Sequence, residues 1–367
     1  MGFNFQSRTN KILRRLRYVG TWFENDSYDL YFLYAVLLNI YYNLHNIAQT
    51  MNVFYHLDDI EEWSSSGLLT LTTLLTNFKA YCVLTNKKRI LKLNQILTRS
   101  VFQPRSDHQV KMATDKFKIF DTMYSLHSSG PTLTVVFFSL YSLAELENRK
   151  LPFNAWYPYD FKKTPNFELT YLFQFTACMV QALIHVNTDS LAFNFIAILV
   201  IQLDFLADNL RNMCQKAESM EQSLLDCIRH HKEILACRNE LYHILNVNLF
   251  GQFILSTTAL CMTFLQMTVV NPTSTHFIAI LVYGMALLVE LLMFCWWGNE
   301  LIIKSQLIPQ AAFESNWMEG SIFFQKNLVF FICRAQKEMM LYAVGFFRIS
   351  LNTFILVSTS VSENVVY

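Results

Sequence analysis

Apolar residues in this chain gather into long runs, not into one stripe of a 3.6-residue period. Seven runs approach the ~20 residues that cross a hydrocarbon core. They lie near 30–52, 67–84, 120–143, 169–200, 246–269, 277–297 and 339–357. The fold predicted is an all-α membrane protein with seven transmembrane helices. The first run is the weakest, because Asn39, Asn43, His45 and Asn46 interrupt it. The fourth stays apolar to about Leu210, so a helix is expected to project beyond the bilayer into the cytoplasm. The chain is basic and polar before Tyr28, which is not a cleavable leader, and the first span is expected to act as the insertion signal.

Composition agrees with this pattern. Hydrophobic residues make up 53% and charged residues 16%, against roughly 25% charged in soluble domains. The net charge of +1 provides no field for nucleic acid. The charges that remain are sorted by connection. Arg8, Lys11, Arg14, Arg15 and Arg17 precede the first span. The next connection carries Asp58, Asp59, Glu61 and Glu62 without a basic residue, and the one after it is again rich in Lys and Arg, from Lys87 to Lys118. By the positive-inside rule the N-terminus is cytoplasmic and, after seven spans, the C-terminus is extracellular. The 145–168 connection, with four basic residues beside Glu145, Glu147, Asp160 and Glu168, is outvoted. That orientation is opposite to a G-protein-coupled receptor. The Asp-Arg-Tyr triplet after the third span and the Asn-Pro-x-x-Tyr string of the seventh are also missing.

Candidate chemistry is sparse. The cysteines are Cys82, Cys178, Cys214, Cys227, Cys237, Cys261, Cys295 and Cys333. None falls in a predicted outer loop, so disulfides are not expected. His230 and His231 near Cys227 and Cys237 lack metal-ligand spacing. Asn25-Asp26-Ser27 is the one glycosylation sequon, and it is expected inside and unmodified. No phosphate-binding glycine loop, HExxH or GxSxG is present, so no enzyme or cofactor is expected. Lys79, His185, Asp189 and Glu290 fall inside predicted spans, where ionisable groups are costly. They are expected to satisfy one another between helices.

Several strings carry a family resemblance. The second outer segment reads Leu151-Pro152-Phe153-Asn154-Ala155-Trp156-Tyr157-Pro158, followed by Tyr171 and Gln174. The sixth span leaves the membrane as Cys295-Trp296-Trp297-Gly298-Asn299-Glu300-Leu301, with Ser305, Ala311 and Phe313-Glu314-Ser315-Asn316-Trp317 beyond it. Arg334-Ala335-Gln336-Lys337 and Ser350-Leu351-Asn352-Thr353-Phe354 follow. Together these resemble the insect odorant receptors across nearly the whole chain. The Thr-Tyr-x-x-x-x-x-Gln-Phe motif of the related gustatory receptors is not found.

The resemblance implies one seven-transmembrane domain over 1–367. It implies an odour-gated, non-selective cation channel formed with the olfactory co-receptor as a heterotetramer, in the plasma membrane of olfactory sensory neurons. The alternatives are a gustatory-type channel of the same superfamily or a truncated receptor that does not conduct. A cytoplasmic anchor is expected over about 200–245 and 300–337, with a pore helix over about 339–367. A small volatile odorant is expected in the outer half of the bundle, between the second, third, fourth and sixth spans. Thr72, Phe137, Tyr141, Phe175, Met179 and Tyr283 are the candidate ligand contacts, and Ser350, Thr353, Phe354 and Val357 the candidate pore lining. The tail departs from the family. The Ser- and Thr-rich run after Val357 has low helix propensity and is read as translated intron sequence. Glu338 and Arg348 stand where the family has proline, and Arg348 is expected inside the seventh span.

Overall fold

The computed structural model describes residues 4–23, 30–144, 149–213 and 220–366. The sequon at Asn25, together with Cys214, Glu145 and Glu147, lies outside them. Seven helices stand where seven runs were predicted: α2 (Leu30–Tyr55), α3 (Ile60–Thr85), α5 (Asp107–Ala144), α6 (Asn166–Arg211), α7 (Met220–Val269), α8 (Thr275–Phe313) and α10 (Leu351–Val366). Shorter helices, α1 (Phe5–Tyr18), α4 (Lys87–Ile96) and α9 (Ile322–Ala335), pack around one end of the bundle. Among the described residues, four helices are long and apolar enough by composition alone to cross a membrane: α3, α6, α7 and α8.

The polar interruptions that weaken α2 explain how it sits. Its buried face carries Tyr42, His45, Asn46, Gln49 and Asn52. Its outward face carries Leu33, Leu37, Ile40, Leu44, Ile47 and Met51. This helix is inside out by the standard of water-soluble proteins, and such a face is stable only against hydrocarbon. The inward amides tie helices together. Asn77 on α3 donates to Asn43 at 2.8 Å, Gln181 on α6 donates to Asn46, and Asn52 donates to Ser66 on α3 at 2.8 Å.

Helix α6 is central, packed by α8, α5, α7 and α1. Every residue from Ile184 to Ala207 is buried, as expected of a helix that is apolar on all sides. At 46 residues it is more than twice the length a bilayer requires. Helix α7 is a single 50-residue helix, so the stretch 220–243 continues directly into the span after it. Ion pairs ring the projecting ends: Arg99 with Glu233 at 2.7 Å, Lys116 with Glu300 at 2.7 Å and Lys304 with Asp204 at 2.8 Å.

Two buried histidines brace that end. His230 Nε2 lies 2.9 Å from Gln202 Oε1, and His231 meets the edge of Phe331. Burial, helped by Arg105 and His231, pushes His230 down to about 3, and burial with Arg334 pushes His231 down to about 4. The folded state therefore holds both neutral, while the unfolded chain protonates them near 6.5. Their stabilisation is complete above about pH 6.5 and declines as pH falls from there toward the folded values, by about 1.4 kcal/mol per pH unit for each histidine. Melting temperatures in detergent are expected to drop between about pH 7 and about pH 5, and His230→Gln is expected to flatten the dependence.

The seventh span departs from prediction at its start. Residues 339–350 are not helical. Tyr342–Ala343 pairs antiparallel with Phe347–Arg348 around a turn in which Val344 and Gly345 take positive φ of 48° and 77°. Gly345 adopts that conformation without steric cost, so the chain reverses there. The hairpin is seated on α8 at Gly298, where a Cβ would lie 2.5 Å from the Ile349 carbonyl oxygen. Arg348 therefore sits on an exposed strand ahead of the last helix, not within a span. Helix α10 begins at Leu351 and continues through the Ser- and Thr-rich run to Val366, against the low propensity of that run.

Candidate functional site

Two cavities follow one another at the end of the bundle opposite α9. The outer vestibule, about 760 Å³, is roofed by the segment 149–162. Gln174 on α6 shapes this roof: its Oε1 accepts from Phe153 N at 3.1 Å and its Nε2 donates to Phe153 O at 2.9 Å. Trp156 N donates to Ala48 O at 3.0 Å, and the Trp156 ring stacks on Tyr55. These bonds carry Phe153 into the bundle, where it stacks on Phe138 and meets His45 edge-on. Phe153 and Leu69 line both cavities, so they form the partition between them.

The inner cavity, about 90 Å³, lies between α3, α5, α6 and α8, with Gln49 of α2 at one side. Gly130 permits this geometry, because its missing Cβ would lie 2.9 Å from the Ala286 Cβ across the α5–α8 contact beside the cavity. Thr72 and Tyr283 line the inner cavity, and Tyr141 lines the vestibule, where it stacks on His276 at 4.7 Å. Phe137, Phe175 and Met179 line neither and pack partly buried against the core. Sequence reasoning passed over Gln49, Gln181 and the Phe153 partition. The first two carry a signal, being amides inside predicted spans.

Beneath the cavity lies a buried charged cluster. Glu290, fifteen residues into α8 and so about 22 Å along it, lines the floor with His185. Lys79 Nζ reaches Glu290 Oε1 at 2.6 Å and the Asp189 oxygens at 2.8 and 2.9 Å. His185 Nε2 lies 2.9 Å from Glu290 Oε1, and its Nδ1 lies 3.1 Å from Thr76 Oγ1. The expectation that these four groups satisfy one another holds. His127, fully buried on α5, brings Nε2 to 3.5 Å from Asp189 and was missed in the sequence, although it too is ionisable inside a span. His185, Asp189 and Glu290 converge closely enough to hold a cation. The Lys79 ammonium already occupies the position between the two carboxylates.

Ser350, just before α10, is buried; within the helix Thr353 is half-buried, and Phe354 and Val357 pack against the core. The uncovered face carries Asn352, Ile355, Leu356 and Thr359.

The 7tm odorant receptor family model matches residues 59–361. The chain belongs to the 7tm odorant receptor family. It is similar to odorant receptor 2a of Drosophila melanogaster, at 24% identity over 78% of this chain and 77% of that one. It is also similar to putative odorant receptor 92a of the same fly, at 23% identity over 88% and 83%. Its fold matches the insect olfactory receptor OR5 from Machilis hrabei, solved in complex with eugenol, with a TM-score of 0.87 over 99% of this chain and 97% of that one at 14% identity. The same receptor without that ligand superposes with a TM-score of 0.86. This odorant receptor is a multi-pass membrane protein of a receptor family, not of an enzyme family.

Proposed function

We propose that this odorant receptor binds small volatile molecules in the inner cavity and opens a cation-conducting pore together with the olfactory co-receptor. The observation that carries this reading is a small, largely apolar cavity between four helices, separated by a partition from a larger vestibule. Small volatile ligands are held in such sites by shape and apolar burial, with few polar contacts. The eugenol complex of the Machilis hrabei receptor supports a ligand of that class. Thr72 and Tyr283 are the proposed ligand contacts, and Tyr141 guards the vestibule. The water-facing residues of about 200–245 and 300–337 serve as the anchor between subunits. The plasma membrane of olfactory sensory neurons is the proposed location.

The pore is proposed to run beside α10, with Leu356 on the lining face, since Phe354 and Val357 are already engaged by their own subunit's core. Odour-evoked currents are expected only when the chain is expressed with the co-receptor. A thiol reagent is expected to block the current of Leu356→Cys and to spare Val357→Cys. Current without the co-receptor moves the reading to a gustatory-type channel. Silence across a broad volatile panel moves it to a receptor that does not conduct.

A further inference from the structure

The hydrogen-bonding groups on the inner cavity wall are strongly biased toward acceptors. Thr73 donates its hydroxyl proton to Thr70 O at 2.9 Å, Thr76 to Thr72 O at 2.9 Å and Thr134 to Gly130 O at 3.0 Å. Tyr283 OH and Thr72 Oγ1 bond to each other, and both reach Leu68 O, at 3.0 and 3.1 Å. Their two protons are consumed there whichever of them donates to the other. Gln181 Nε2 donates to Asn46 Oδ1. Each hydroxyl thus turns its proton into its own helix bundle and keeps only lone pairs for the cavity.

Two stronger acceptors stand on the same wall. The Gln49 side chain is 1% exposed, and its Oε1 has no hydrogen-bond partner. The contacts of Glu290 with Lys79 and His185 fall on Oε1, and its Oε2 is a second acceptor at the cavity floor. Against these acceptors stands one donor without a partner, the Gln49 amide nitrogen. Buried polar groups left unpaired are costly, so the wall favours a ligand that supplies a proton.

We infer that the inner cavity selects odorants bearing a hydrogen-bond donor, namely small alcohols, over acceptor-only molecules of the same carbon skeleton. A hydroxyl donates to Glu290 Oε2 or Gln49 Oε1 and still accepts from the Gln49 amide, whereas a ketone or ether has only that last partner. The cavity of about 90 Å³ restricts the skeleton to a small ring or short chain. A site whose polar groups require a partner discriminates against the analogue that lacks it far better than a pocket read by shape alone.

The inference rests on the inner cavity being the odorant site. Its test is a set of dose–response curves for matched pairs, with cyclopentanol against cyclopentanone and short-chain alcohols against their methyl ethers. The curves are recorded in cells expressing the chain with the co-receptor. The alcohol of each active pair is expected to act at roughly a tenfold lower concentration or less. Gln49→Met and Glu290→Gln are expected to narrow that gap, and Gln49→Met does so without touching the charged cluster. Equal or greater potency of the acceptor-only members, or activation confined to them or to hydrocarbons, overturns the inference and leaves the receptor reading standing. Absence of current to every volatile in a broad panel removes the receptor reading itself, and the inference with it.

Discussion

Lys79→Met is expected to destabilise the protein by about 3–5 kcal/mol and to remove most of it from the cell surface. Lys79 is fully buried and is the cation shared by Asp189 and Glu290, at 2.8 and 2.6 Å. Without it, two carboxylates lie close together between helices and away from water, with the ammonium that bridges them removed. Breaking a buried pair costs far more than replacing the whole pair, because the surviving charge keeps its desolvation penalty. Lys79→Met combined with Glu290→Gln leaves His185 against Asp189, and is therefore expected to recover much of the loss. Thermal melting of the detergent-solubilised protein and surface labelling report both variants. A single variant that melts as the parent does would show that the cluster contributes nothing to the fold, and a double variant worse than the single one would contradict the charge balance.

Phe323→Asp together with Phe330→Asp is expected to abolish co-purification with the olfactory co-receptor while leaving the single subunit folded. In α9, Phe324, Leu328, Phe331 and Ala335 face inward at spacings of four, three and four residues. Phe323 and Phe330 point the other way and are 67% and 75% exposed, next to Phe313 and Met318, which are 65% and 75% exposed. The helix belongs to the end of the bundle that carries ion pairs, where water would surround it. Large apolar groups clustered in such a place mark a contact with another protein chain. Aspartates there introduce charges that cannot be desolvated without a partner. The outward positions contribute little to the isolated fold, so the melting temperature is expected to stay within the effect of about 0.5 kcal/mol. Intact complexes from the double variant would place the subunit contact elsewhere.

Much of the architecture was legible in the sequence, because the bilayer imposes it locally. Every spanning segment must satisfy its own backbone and present apolar side chains over a fixed length, so run length alone locates helices. The overlong fourth run announced the length of α6, at 46 residues. Lys79, His185, Asp189 and Glu290 announced themselves as costly groups inside spans, although nothing local said that they would meet.

The rest depended on which groups meet across helices. The hairpin at 342–348 replaced the first turns predicted for the seventh span, since an apolar stretch reads the same as helix or strand when its length is short. Gly298 on α8, far before the hairpin in the chain, provides the space in which Ile349 sits. The apolar outward face of α2 and its polar inward face could be assigned only once α3 and α6 stood beside it. Phe354 and Val357, expected to line a pore, pack partly buried against the subunit's own core, and Leu356, one residue from Val357, is uncovered. The number and placement of the helices are thus properties of the sequence by itself, fixed by hydrophobic length in a hydrocarbon solvent. The acceptor-lined cavity, the shared ammonium beneath it and the uncovered face of the last helix were decided only by tertiary structure, because each depends on contacts between different helices far apart in sequence.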